Sequence, residues 1–253
     1  MFQWNSEQYT KFEKERTQPS IDLINRLDIQ PKTVLDIGCG PGNSTNQLYE
    51  RFPDANILGI DNSDNMLCKA RNSYPQLRFV NCFIPDELDR LDSFDLIFSN
   101  ACLHWIPEHS SLYGRLMSCL NEGGVLAVQM PLVQYAPFYK ILNELVAEKK
   151  WESLRSIQNF HNLLPDDTYD ALAAVSDNIE MWDTTYYHIV DSHQAVIDWY
   201  KGSGLRPYLE TLNDANRDDF LSELYERIVQ AMPIQNNGKL LLKMPRLFFI
   251  ARI

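Results

Sequence analysis

The chain has 253 residues, 45% of them apolar, which allows a large α/β domain with a sizeable core and argues against global disorder. Its 23 basic and 34 acidic side chains leave a formal net charge of −11. Nucleic acid and anionic membrane surfaces both call for a basic face, so neither is an expected partner, whereas a small anionic ligand in a locally basic site is compatible with this charge.

Met1-Phe2-Gln3-Trp4-Asn5 has no basic stretch followed by an apolar run, so no signal peptide is expected. No apolar run approaches the roughly 20 residues that span a bilayer. The expected location is the cytoplasm. A charged amphipathic stretch over 6–27 reads as one or two helices, broken near Pro19. Thr33-Val34-Leu35-Asp36-Ile37 is a short buried strand that ends in a glycine turn. A helix over 43–52 and a strand over 56–61 follow, then a helix over 64–73 capped by Asn62 or Ser63. Strands are expected over 76–82 and 94–100. A helix over 112–120 is stopped by Asn121-Glu122-Gly123-Gly124, and a fifth strand covers 125–130. This alternation of strands and helices across 33–130 predicts βαβ units and a mostly parallel sheet.

The rhythm changes after Pro131. The next 50 residues read as mainly helical, a strand-like run covers 181–190, helices follow over 192–232, and 247–251 reads as a last strand. The expected organisation is a single domain over 1–253. Helices over 1–30 precede a Rossmann-like core over 31–131, which strands near 181–190 and 245–253 complete. Insertions over 132–180 and 191–237 form a helical cap. The cysteines, Cys39, Cys68, Cys82, Cys102 and Cys119, are odd in number and include no CxxC pair. Free, buried thiols in a reducing compartment are expected. His104 and His109 are five apart, one too many for an i, i+4 pair, and no metal site is expected.

Asp36-Ile37-Gly38-Cys39-Gly40-Pro41-Gly42-Asn43-Ser44 joins the first strand to its helix, and Asp61 ends the second strand. Ligands of such sheets lie beyond the carboxyl ends of the strands. A carboxylate at position 61 can accept both hydroxyls of a ribose. The glycine spacing is G-x-G-x-G, not the G-x-G-x-x-G that aims a helix N-terminus at a pyrophosphate, and Asp36 adds negative charge where a pyrophosphate is unwelcome. This counts against a nicotinamide-dependent oxidoreductase. The pattern suits a cationic ligand without phosphate, such as S-adenosylmethionine.

Val34-Leu35-Asp36-Ile37-Gly38-Cys39-Gly40-Pro41-Gly42 resembles motif I of the class I S-adenosylmethionine-dependent methyltransferases. Further segments resemble the smaller family of trans-aconitate 2-methyltransferases. They are Trp4-Asn5, Tyr9, Phe12, Glu15-Arg16, Gly42-Asn43-Ser44-Thr45, 95–101, 124–131, 184–188, 192–195, Gly204-Leu205-Arg206-Pro207 and Pro245-Arg246-Leu247-Phe248. The resemblance implies a Rossmann-like methyltransferase sheet with a helical cap and an N-terminal helical lid. It implies an O-methyltransferase that esterifies a carboxylate of trans-aconitate, giving the monomethyl ester and S-adenosylhomocysteine. Two other readings share these motifs: a methyltransferase for another small acceptor, and a non-catalytic S-adenosylmethionine-binding protein.

By the same resemblance, Asp36, Gly38 and Gly40 line the methionine end of the cofactor, and Cys39 and Asn43 also bind the cofactor. Asp61 holds the ribose, with Asn62 and Met66 beside the adenine, and Asn100 flanks the methionine part and faces the substrate. Cys82, Phe83 and Ile84 stand where the superfamily often carries an acidic residue for the adenine amine, which leaves the adenine to backbone groups and apolar stacking. His104 stands where this family is expected to carry glutamine. A carboxylate nucleophile needs no general base, so positioning is the expected task. Arg206, in a Gly-Leu-Arg-Pro turn, and Arg246 would pair with the other carboxylates, with Arg16 on the N-terminal helix. His188 and His104 are further candidate donors. Tyr187 must point opposite to Tyr186 and His188 on a strand. Trp105, Trp4 and Tyr9 would wall the pocket from water.

Overall fold

The computed structural model describes residues 13–157 and 160–253, with side chains from Thr17 onward. Trp4 and Tyr9, the lid expected of the N-terminal segment before residue 13, and the side chain of Arg16 lie outside the described residues.

Helix α1 (Glu13–Asn25) runs unbroken through Pro19. A proline inside a helix costs about 3 kcal/mol through its missing N–H and its clash with the preceding turn. The same face buries Leu23 and Ile24, each worth about 1.5–3 kcal/mol, so packing offsets the defect that the sequence flags as a break.

Next come β1 (Thr33–Ile37), α2 (Asn43–Arg51), β2 (Asn56–Asp61), α3 (Asp64–Ser73), β3 (Arg78–Asn81) and β4 (Phe94–Asn100). Of the two candidate caps of α3, Ser63 is the one whose hydroxyl accepts from the Met66 amide. Strand β3 is shorter than the expected 76–82. Helix α4 (His109–Ser118) starts three residues before the expected 112, and β5 (Leu120–Pro131) starts well before the expected 125. The segment Asn121-Glu122-Gly123-Gly124 is not a helix stop before a new strand. It is a bulge inside β5, because Leu120 pairs with Phe94 and Val125 with Leu96. Asp95 pins this bulge: its Oδ1 accepts from Asn121 Nδ2, and its Oδ2 accepts from the Lys32 and Thr33 amides.

Downstream lie α5 (Pro137–Val146), α6 (Pro165–Ala173), β6 (Asn178–Val190), α7 (His193–Lys201), α8 (Arg206–Thr211), α9 (Asp214–Ala231) and β7 (Leu240–Arg252). Strands β6 and β7 both start earlier than their sequence patterns suggest. The sheet has the order β3-β2-β1-β4-β5-β7-β6. The pairs β3·β2, β2·β1, β1·β4 and β4·β5 are all parallel.

The chain divides into two compact units. The first takes residues 1–131, 161–184 and 247–253; the second takes 132–160 and 185–246. The insertion expected over 132–180 is therefore split. Residues 161–184 go with the first unit because α6 packs on α4, with Leu172 and Tyr113 in one core. The second unit has its own core, in which Trp151 meets Phe220 edge-on at 5.0 Å and Trp151 Nε1 donates to Glu223 at 2.8 Å. Among the described residues no helix is long and apolar enough to cross a membrane.

Candidate active site

Strand β1 is buried, and Asp36 goes under with it, fully inaccessible. Its Oδ2 accepts from Ser44 Oγ at 2.7 Å and Thr45 Oγ1 at 2.6 Å, both from the first turn of α2. Its Oδ1 has no hydrogen-bond partner among the described residues. Burial pushes the Asp36 carboxyl up to about 6, although the Thr45 and Ser44 hydroxyls pull it down; the charge of Asp61 adds to the rise. An isolated buried carboxylate is costly unless it is paired. The Oδ1 of this one lacks a donor among the described residues, and a cation answers that need.

The turn after β1 is built from acceptors. The Gly38 and Cys39 amides both donate to Ile60 O, at 2.8 and 3.0 Å, and the Gly40 amide donates to Asp61 Oδ2 at 3.0 Å. These three amides would be the cradle in a phosphate loop; here they strap the turn to the end of β2. Gly38 has φ +72 and Gly40 φ +54. A Cβ on Gly38 would sit 2.3 Å from Cys102 Sγ, so this position is fixed by packing. A Cβ on Gly40 would meet nothing within 4 Å, so that side of the turn is open.

Asp61 Oδ1 accepts from the Ser63 amide at 2.8 Å. Burial raises its pKa despite hydrogen bonds from the Ser63, Gly40 and Asn62 amides. Each oxygen keeps a lone pair for a further donor. Met66, Cys82 and Ile84 are buried, and Asn62 and Phe83 exposed. The Phe83 amide is already taken by Glu87 Oε2 at 2.9 Å, so the exposed ring is what this position offers a ligand. Asn43 opens α2 directly after the turn.

Beyond β4 the chain turns sharply at Ala101, which has φ +52 and whose amide donates to Gln129 O at 2.9 Å. Asn100 ends β4 with its Oδ1 lacking a partner among the described residues. His104 is buried against Trp105, with ring centroids 4.9 Å apart. The His161 amide donates to His104 O, and Asn162 Nδ2 donates to Pro131 O. Residues 161–162 thus tie together the ends of β4 and β5, and no local sequence signal points to this. His109, buried, bonds Leu103 O and the Tyr113 hydroxyl.

The second unit carries the remaining candidates. Arg206 is the first residue of α8 rather than part of a turn, and its Nε donates to Glu210 at 2.5 Å. His188 is stacked against Trp199 at 4.9 Å, with Tyr186 on the same face. Tyr187 points the other way and is 55% exposed, with Lys243 Nζ 5.8 Å from its ring centre. The structure therefore does not bring Tyr187 to the face of His188. Arg246 lies near buried Tyr200, whose hydroxyl burial pushes up while the Arg246 charge lowers it. Tyr139 lies edge-on to Tyr200 at 5.3 Å and closes on Gly204, where a Cβ would sit 2.1 Å from its hydroxyl. Sequence reasoning missed Tyr139 and Tyr200 because their partners are distant in the chain. It also missed Ser44 and Thr45 as holders of Asp36, since helix geometry alone turns them back onto it.

Of the cysteines, Cys39 and Cys82 are buried, but Cys68 is exposed on α3, against the expectation that all are buried. Burial raises the Cys39 and Cys102 thiols well above their ordinary value. Among the described residues no three His, Cys, Asp or Glu side chains are grouped to hold a metal ion.

The sheet order, the glycine turn and the two strand-end carboxylates define a Rossmann-like methyltransferase. Residues 30–195 match the family model described as a methyltransferase domain. A solved structure, the YcgJ protein of Bacillus subtilis, superposes with a TM-score of 0.57 over 93% of this chain and 99% of that one, at 19% identity. The chain belongs to the trans-aconitate 2-methyltransferase family. It is 40% identical over 255 aligned residues to the Rhodopseudomonas palustris protein of that name, covering 99% of each. It is 39% identical to the Escherichia coli protein of that name, covering 100% of this chain and 99% of the other.

Proposed function

We propose that this chain transfers a methyl group from S-adenosylmethionine to one carboxylate of trans-aconitate, yielding the monomethyl ester and S-adenosylhomocysteine. The observation that carries the cofactor reading is Asp36, a buried carboxylate with one oxygen unpartnered among the described residues, beside a turn whose amides are already used. Such a site rejects a pyrophosphate and suits an ammonium. When bound, S-adenosylmethionine supplies a methyl group made electrophilic by the sulfonium. Asp36 Oδ1 and Asn100 Oδ1 are the acceptors for its amine. Gly38, Cys39 and Gly40 offer backbone carbonyls rather than amides, with Asn43 behind them. Asp61 takes the ribose hydroxyls on its spare lone pairs, and Met66, Asn62, Cys82, Phe83 and Ile84 bound the adenine.

The acceptor carboxylate is ionised at neutral pH, with an ordinary pKa of about 4, so no side chain has to remove a proton. The protein's work is to hold the acceptor in line and to keep water out. Arg246 is the strongest candidate for a second carboxylate, near buried Tyr200. Arg206 would exchange its bond to Glu210 for one to the substrate. His188, Tyr187, His104 and Trp105 are the further candidates on the described residues, and Arg16, Trp4 and Tyr9 remain candidates by resemblance.

The test is methyl transfer from labelled S-adenosylmethionine to trans-aconitate, with cis-aconitate, citrate and isopropylmalate alongside. Preferred turnover of trans-aconitate is expected. Tight cofactor binding without turnover of any of the four would retire the acceptor and keep the methyltransferase class.

A further inference from the structure

Gln129 is fully buried on β5, in a run that is otherwise apolar, Val125-Leu126-Ala127-Val128-Gln129-Met130. Neither its Nε2 nor its Oε1 has a hydrogen-bond partner among the described residues. A buried amide with both ends unmet costs stability, and native proteins rarely retain one without a use. Its backbone carbonyl accepts from the Ala101 amide at 2.9 Å.

The position tells what the amide is for. Asn100 and Gln129 are register partners on the parallel strands β4 and β5. They therefore point to the same face of the sheet at its carboxyl edge. Asp36 pairs with Phe98, two residues before Asn100, and so shares that face. The cofactor groups Asp36 and Asp61 sit on β1 and β2, on one side of the switch point between β1 and β4. Gln129 sits on the other side, two strands from Asp36, where the acceptor belongs. Asn100 stands between them.

Building on the reading of this chain as a methyltransferase for a polycarboxylate, we infer that Gln129 is a specificity-determining residue that donates from Nε2 to a carboxylate of the acceptor that is not methylated. With both ligands bound, its Oε1, which has no partner among the described residues, would accept from the Asn100 amide and leave Asn100 Oδ1 for the cofactor amine. The three side chains then alternate donors and acceptors from the cationic cofactor to the anionic acceptor. A neutral amide suits this role better than an arginine: it orients the carboxylate without a full charge that would hold the reacting oxygen in the ground state.

The test uses the full chain and Gln129→Met, a side chain of similar length without polar atoms. If the amide binds the acceptor, Gln129→Met raises KM for trans-aconitate at least tenfold, leaves the S-adenosylhomocysteine Kd within threefold, and raises Tm by about 2–4 °C because the unmet polar group is gone. Unchanged acceptor kinetics with a raised Tm would overturn the inference, leaving Gln129 as a structural defect only. Gln129→Glu covers the case in which the methionine variant fails to fold. Its charge should raise KM further for the tricarboxylate than for a monomethyl ester of it, and equal effects on both count against carboxylate contact. Wild-type protein that binds cofactor but neither binds nor methylates trans-aconitate defeats the functional reading and this inference together. Wild-type turnover with unaltered variants defeats this inference alone.

Discussion

On the proposed reading, Asp36 couples cofactor binding to pH. Its carboxyl is pushed from an ordinary 3.8 up to about 6, chiefly by burial. A carboxyl with a raised folded-state pKa binds its proton more readily when folded than when unfolded. The unliganded protein should therefore gain stability from this group as pH falls through about 6, with the gain complete near 3.8; above 6 the buried charge costs about 3 kcal/mol. Cofactor affinity should move the other way, because an ammonium needs the ionised form. Calorimetric titration between pH 5 and 8 is expected to give a constant Kd above about pH 6.5 and a loss approaching tenfold per unit below 6. Asp36→Asn should weaken cofactor binding by about 10–100-fold at pH 7.5, the worth of a charge-assisted hydrogen bond, without lowering Tm. The two glycines give a sharper contrast. Gly38→Ala drives a Cβ into Cys102 and should yield little folded protein, whereas Gly40→Ala has open space and pays only for its positive φ, about 1–2 kcal/mol. Gly40→Ala should fold and lose cofactor affinity, which circular dichroism and titration together will separate. Asp36, Gly38, Gly40 and Asp61 were legible from their spacing, because they stand at or just beyond the ends of two consecutive strands, β1 and β2. Ser44, Thr45 and Gln129 were not: a hydroxyl or amide shows its importance only when its partners, or their absence, can be seen.

At the level of elements, the sequence pattern gave the strands and helices of 33–118 nearly residue for residue, apart from the start of α4 and the short β3. It failed at β5, where Gly123-Gly124 reads as punctuation and is in fact a bulge. Asp95 is what makes that bulge tolerable, by bonding Asn121 and the two amides that lead into β1. Burial pushes the Asp95 carboxyl up, but the hydrogen bonds from Asn121, Lys32 and Thr33 outweigh it and leave it below its ordinary value. A depressed carboxyl stabilises the fold above its unfolded pKa of about 3.8 and loses that contribution as pH falls through the lower folded value. Asp95→Ala should lower Tm by about 4–8 °C at pH 7, from roughly 2 kcal/mol of lost hydrogen bonds, and the difference from wild type should shrink toward pH 3. A thermal melt series checks both parts. Helix α1 makes the opposite point: a local breaker, Pro19, yielded to the burial of Leu23 and Ile24.

For the molecule as a whole, binding of the cofactor and folding are linked. At about 100 times Kd a ligand that binds only the folded state adds about 2.7 kcal/mol, or about 5–10 °C in Tm for a chain of this size. Wild-type protein should show that shift with S-adenosylhomocysteine, and Asp36→Asn should lose most of it; equal shifts would remove Asp36 from the binding site. By itself the sequence determined the alternation of strands and helices, the acidic glycine turn that favours a cation over a phosphate, and the family. All of these depend on neighbours within a few tens of residues, where periodicity and spacing speak directly. Only the tertiary structure decided that residues 161–184 join the first unit, that Arg246 comes to lie near buried Tyr200, and that the Gln129 side chain is buried without a hydrogen-bond partner among the described residues. Burial and pairing are properties of contacts between distant segments, and no pattern along the chain encodes them.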